Sequence, residues 1–168
     1  MLPATSEGEA WVRLSVMFSS KDDPLSMPEV QQLGSLSLEL SERERRLSVE
    51  LAEATSPWSG YLTEIGALSW LWVFGAYEVF RRAKNRDGAL AEHTTFRFLN
   101  DEISEIRIAL AKREARFNSA VKHLPKHIWD NGFGWIYRDR RLHERQFFRT
   151  KFAERWVEAA YTLPHTQP

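Results

Sequence analysis

Apolar side chains in this chain recur mostly three and four residues apart, and in one N-terminal segment they alternate instead. Leu33, Leu36, Leu40, Leu47 and Leu51 follow the helical spacing and predict an amphipathic helix ending near Ala54. Ser41 with Glu44 three places on has the capping-box pattern, so the segment reads equally well as one long helix or two short ones. Ser56 before Pro57 is a helix start signal, because the missing proline donor costs nothing in a first turn. From Trp58 to about Arg82 apolar residues occupy nearly every face, which predicts a central helix, roughly 37 Å long at 1.5 Å per residue. Asn85 to Gly88 then reads as a turn.

A third helix is predicted from Thr94 or Thr95, either of which can cap it. Phe96, Leu99, Ile103, Ile106 and Leu110 form its stripe, and Phe117 resumes it after a break at Arg113. That stripe suits packing against the central helix or against a second chain. From about Glu144 onward, Phe148, Phe152, Trp156 and Ala159/Ala160 restore helical spacing up to Leu163 and Pro164.

The alternating segment is Trp11 to Phe18. Val12, Leu14, Val16 and Phe18 fall on one side, Arg13 and Ser15 on the other, which predicts a half-buried strand. Pro125 and Gly132 bracket an irregular segment, and the GFGWIY stretch after it is short, aromatic and β-prone. A strand over 133–137 pairing with 11–18 is therefore expected. Residues 19–28 gather Ser, Asp and Pro and read as a loop. The fold class expected is mainly α: a single helical-bundle-like domain over 11–163, with three to five helices, a small β element from 11–18 and 133–137, and residues 1–10 as a flexible tail.

Composition narrows the function classes. A chain of 168 residues that is 43% hydrophobic fits one domain with a single core. The absence of cysteine excludes disulfides, thiolate zinc sites, iron–sulfur clusters and cysteine nucleophiles, and agrees with a reducing, cytoplasmic setting. Met1 to Glu9 has no secretory-signal pattern. The longest uncharged run, Ile65 to Tyr77, is shorter than the about 20 residues that span a bilayer, so no membrane partner is expected. Charge is unevenly divided: residues 1–80 carry 5 Lys/Arg against 12 Asp/Glu, and residues 81–168 carry 18 against 11. Such a split suits an anionic partner for the second half, or a complementary surface on a second copy or within the monomer.

Candidate chemistry centres on Arg138-Asp139-Arg140-Arg141-Leu142-His143. Arginine, a polar residue, three further residues and histidine resembles the signature of HEPN-superfamily ribonucleases, which are small all-helical proteins common in prokaryotic toxin and defence systems. The resemblance implies a metal-independent RNA-cleaving site composed from two subunits, with the motif on a helix. Arg138 would hold the scissile phosphate and neutralise the charge of the transition state, and His143 would take or give a proton near neutral pH. Against the helix that the family uses, Arg138 to Arg141 read here as the turn after the aromatic strand, a solvated basic turn being the bland alternative.

The surrounding segment supports a wider, non-catalytic reading. Between Arg138 and Arg155 lie seven basic and three acidic residues, so Arg140, Arg141, Arg145 and Arg149 could contact phosphates while an exposed Phe147 stacks a base. Phe148, Phe152 and Trp156 share one helical face and read as core.

Elsewhere the chemistry is sparse. Glu64 and Glu78 lie about 21 Å apart on one helix, too far for a cooperating carboxylate pair. Glu78 can pair with Arg82 one turn on, whereas a buried Glu64 would need a distant partner such as Arg107 or Arg113. His123 and His127 are four apart with Pro125 between them and Asp130 nearby, a weak metal pattern. Neither a P-loop nor a dinucleotide fingerprint is present, so neither cofactor nor metal is expected.

Trp70 and Trp72 point about 200° apart on the central helix, so one of them needs another element, a second subunit or a ligand to cover it. The function expected is a non-catalytic, helix-rich interaction or assembly module whose partner is a second copy or another protein. Ribonuclease action through Arg138 and His143, and RNA or DNA binding, are the alternatives.

Overall fold

The uncharged run from Ile65 to Tyr77 sits inside the longest apolar helix of the protein, and the other elements are arranged around it. The computed structural model describes residues 7–52, 60–115, 124–129, 132–138, 143–159 and 161. In chain order these form α1 (Glu7–Phe18), α2 (Ser26–Ala52), α3 (Gly60–Arg86), α4 (Gly88–Glu92), α5 (Thr94–Ala115), β1 (Leu124–Trp129), β2 (Gly132–Arg138), β3 (Glu144–Phe148) and α6 (Arg149–Ala159). The protein is mainly helical with a small antiparallel sheet, as the spacing predicts. Ser56, Pro57, Phe117, His123, Asp130, Arg140, Arg141, Leu163 and Pro164 lie outside the described residues.

Helix α3 is the centre of the packing. Ile65, Trp72, Val73, Ala76, Val79 and Phe80 are buried on its inner side, and α5 meets them with Phe96, Leu99, Ile103, Ile106 and Leu110. Helix α6 brings in Phe152 and Trp156. Trp156 is the hub of the aromatic cluster, with ring centroids 4.9 Å from Phe80, 5.3 Å from Trp11, 5.7 Å from Phe18 and 6.1 Å from Trp72. Apolar area removed from water at this junction is the main favourable term holding α1, α3 and α6 together.

The segment predicted as a strand, 11–18, is part of α1. Trp11, Leu14, Ser15 and Phe18 fall three, four and seven residues apart and are buried, whereas Val12 and Val16 are 52% and 55% exposed. The apparent alternation came from those two exposed valines. Buried Ser15 satisfies its hydroxyl by donating to the Val12 carbonyl and accepting from Gln31 Nε2 of α2. Since α1 begins at Glu7 and Ala10 is buried, residues 7–10 belong to the helix and not to a tail.

Helix α2 is one continuous helix. Ser41 donates back to the Ser37 carbonyl at 2.9 Å instead of capping a new start. Gly34 lies under the Trp11 ring, where an added Cβ would stand 2.6 Å from Trp11 Cγ, so glycine lets α1 and α2 approach. Beyond α3 the expected turn is shorter than read: the helix runs to Arg86 and Asp87 caps α4, its side chain accepting from the Leu90 N–H at 3.0 Å. The His93 carbonyl, not a threonine hydroxyl, receives the first bond of α5, from Arg97. α5 passes through Arg113 without a break.

The sheet has the order β1-β2-β3, all antiparallel. β2 covers the predicted 133–137 strand but pairs with β1 and β3, because 11–18 is helical. Trp135 opposes Phe147 and Gly134 opposes Phe148. A Cβ at Gly134 would fall 2.6 Å from the Phe147 carbonyl, so the strands close only over glycine. Residues 144–148, expected to begin the last helix, are β3, and the helix starts at Arg149. Phe147, expected to be exposed, is buried against Trp135 and against Phe152, whose ring is 5.4 Å away.

Candidate functional site

Two places gather the candidate residues: the end of the β2–β3 hairpin at which the chain passes from Arg138 to Glu144, and the outward side of α3. At the hairpin, β2 ends at Arg138 and His143 directly precedes β3, with Arg138 opposite Glu144 in the strand register. The register thus brings Arg138 and His143 to the same end of the hairpin, on strand ends and not on a helix. His143 and Arg145 are exposed.

Arg149 does not join them. It is the first residue of α6 and fully buried, so it is not available to a phosphate, contrary to its expected role. Its Nε and Nη2 donate to Glu44 at 3.2 and 2.8 Å, and Nη1 donates to Ser37 Oγ at 2.9 Å. Thr150 Oγ1 donates to the other Glu44 oxygen at 2.9 Å, and the guanidinium lies 5.9 Å from the Trp72 ring centre. Burial pushes the Arg149 pKa below its ordinary value, with the Glu44 carboxylate acting in the opposite sense. This cluster fastens the start of α6 to the middle of α2.

Other ion pairs also differ from the local expectation. Glu64 is at the surface and accepts from Arg43 Nη1 at 2.7 Å, not from Arg107. Glu78 pairs with Arg81 at 2.7 Å, while Arg82 turns toward α2 and pairs with Glu29 and Asp23. Arg86 also reaches Asp23, at 3.4 Å. Cations of the basic half therefore meet carboxylates of the acidic half within one chain.

On α2, Arg45 and Arg46 hydrogen-bond Glu42 and hold its carboxyl at a pKa of about 2, below its ordinary 4.5. A depressed carboxyl pKa stabilises the fold above the unfolded value and loses that contribution as pH falls from about 4.5 toward 2. Carboxyl NMR titration should place the Glu42 midpoint near 2, and Arg45→Ala with Arg46→Ala should return it toward 4.5. A midpoint near 4.5 in the unaltered protein would contradict the paired geometry.

The outward side of α3 answers the question posed by its two tryptophans. Trp72 is the inward one, donating from Nε1 to the Leu33 carbonyl at 2.9 Å. Trp70 is only half-buried, its ring 4.8 Å from that of Phe74. Leu71 beside them is 57% exposed. Gly75 continues this face toward α2, where an open groove of about 510 Å³ has Leu33, Leu36 and Gly75 as its apolar lining and Glu78, Arg81 and Arg82 among its polar residues. On the α5 side, the Arg107 guanidinium stacks over Tyr77 and Phe74 at 5.0 and 5.5 Å from the ring centres.

The chain matches no family model, no curated protein and no solved structure at a significant level. Among the described residues, no group of three or more His, Asp and Glu side chains is placed to hold a metal ion, and no helix is long and apolar enough to cross a membrane.

The sequence expectation of an incompletely covered side of 65–77 rests on Trp70 and Trp72 alone and does not name Leu71 or Phe74, which the structure places on it. The signal was present in the flanking charges. Glu64 and Glu78 stand seven residues, about two helical turns, either side of Leu71, which marks that side as the one facing water.

Proposed function

We propose that this protein is a non-catalytic assembly module that associates with a second copy of itself through the outward face of α3. The observation that carries the reading is the exposure of Leu71 in the middle of the uncharged run of α3, flanked by half-buried Trp70 and Phe74. Contiguous exposed apolar side chains rimmed by charge are characteristic of association surfaces. Fully covering one leucine or phenylalanine is worth about 1.5–3 kcal/mol, so a few such side chains outweigh part of the cost of association. Leu71→Glu, which places a charge in the middle of this face, should abolish self-association while leaving the far-ultraviolet circular dichroism unchanged. Association that survives Leu71→Glu would remove this face from the account.

A second reading, ribonuclease action at the hairpin, is favoured by the register that brings Arg138 and His143 to one end. In that reading His143 moves the proton and Arg138 holds the phosphate. RNA cleavage in excess EDTA, lost in both Arg138→Ala and His143→Ala, would support it. Equal behaviour of all three proteins would reject it. Nucleic-acid binding without cleavage would have to do without Arg149 and Phe147, which are buried, leaving Arg140, Arg141 and Arg145 of the residues expected for it.

A further inference from the structure

We propose that Arg107, laid over the rings of Phe74 and Tyr77, binds the carboxylate of a small apolar acid whose carbon chain lies along Phe74 and the exposed Leu71. The guanidinium carbon is 5.5 Å from the Phe74 ring centre and 5.0 Å from that of Tyr77. Stacking of this kind holds the planar fork in one orientation. Its Nε is buried without an acceptor, and no ion pair to it occurs among the described residues. Arg43, Arg81, Arg82, Arg86, Arg149 and Arg155, by contrast, each meet a carboxylate.

The sequence shows why Arg107 is left over. The residues three and four places from it along α5 are Ile103, Ser104, Leu110 and Ala111, none of them acidic. The two carboxylates that flank Leu71 on α3 are already engaged, Glu64 by Arg43 and Glu78 by Arg81. One positive charge therefore stays uncompensated beside apolar surface.

The chemistry of that surface selects the ligand. One guanidinium balances one negative charge, and its two Nη groups match the two oxygens of a carboxylate. Arginine is more weakly hydrated than an ammonium, so it gives up less on taking an anion. Leu71, three residues before Phe74, is 57% exposed, and the Trp70 ring lies 4.8 Å from that of Phe74. An acid with an apolar chain covers Leu71 while its charge sits on Arg107. A bare carboxylate gains only a water-screened ion pair, and a bare chain leaves Arg107 unneutralised. Inorganic phosphate brings no apolar part.

Titration with hexanoate, followed by the NMR shifts of backbone amides, tests the site, with acetate and hexanol as the head and the chain alone. Hexanoate should bind with a Kd of about 1 mM or tighter, with shifts centred on Leu71, Phe74 and Arg107, and acetate, hexanol and inorganic phosphate should each be at least about tenfold weaker. Arg107→Gln should weaken hexanoate about tenfold, and Arg107→Lys should not restore it, because lysine offers a point charge in place of the fork. Leu71→Gln, at an exposed position that the fold does not depend on, should weaken hexanoate about fivefold and leave acetate unchanged. Hexanoate that binds no tighter than hexanol, or that is insensitive to both Arg107→Gln and Leu71→Gln in proteins with unaltered circular dichroism, would overturn the proposal. The site is complete in one chain, so this result stands apart from the self-association reading.

Discussion

Arg149→Ala should cost the folded protein about 3–5 kcal/mol, because it leaves the Glu44 carboxylate buried without its cation. The two groups are held in place on every side: Glu44 accepts from Arg149 and Thr150, and Ser37 accepts from the guanidinium. Removing one charge strands the other in a medium that solvates it poorly, and that penalty exceeds the modest worth of the pair itself. In a protein of this size the loss corresponds to a fall in Tm of roughly 6–20 °C. Replacing both partners, Arg149→Met with Glu44→Leu, should recover most of it, since no unpaired charge remains. Denaturant unfolding of the single and double variants measures both terms. A single substitution that costs less than about 1 kcal/mol would mean that water reaches Glu44 and that the cluster does not fasten α6 to α2.

Trp156→Ala should be comparably damaging, at about 3–5 kcal/mol, for a different reason. Its ring is fully buried and touches aromatic rings from α1 and α3 as well as Phe152 one turn away. Truncation leaves a cavity that rigid neighbouring rings cannot close, so lost dispersion contacts add to lost burial. Trp156→Phe should cost much less: the indole Nε1 has no hydrogen-bond acceptor among the described residues, so phenylalanine forfeits volume and no bond. Hydrogen exchange should show α1 and α6 losing protection together in Trp156→Ala. Loss confined to α6 would indicate that α1 is held by α2 alone.

Much of this architecture was legible because helical spacing survives in the sequence wherever one face is apolar and the other charged. α2 and α5 satisfy that condition: Leu40 and Leu47 of α2 and Phe96, Leu99, Ile103, Ile106 and Leu110 of α5 are buried, with Leu33 and Leu36 partly so, while α3 was legible from its long uncharged run. α1 did not, because Val12 and Val16 place apolar side chains on its wet face and mimic the two-residue period of a strand. The β3–α6 boundary was hidden by Phe148, which stands four residues before Phe152 and extends the helical pattern into a strand.

Charge was harder to place than hydrophobicity, since sequence carries no sign that a particular arginine is turned inward. Arg149 looks like its exposed neighbour Arg145, and only the packing of Ser37, Glu44 and Trp72 around it separates the two. For the proposed association surface, the opposed directions of Trp70 and Trp72 were readable from helical geometry. Which of them faces inward depends on the Leu33 carbonyl that accepts the Trp72 Nε1 proton, a contact between residues far apart in the chain.

Sedimentation equilibrium of the unaltered protein over a wide concentration range tests the central claim most directly. Self-association through α3 predicts an average mass that rises from the 19.6 kDa of one chain toward twice that value as concentration increases. A mass that stays at 19.6 kDa throughout would contradict it.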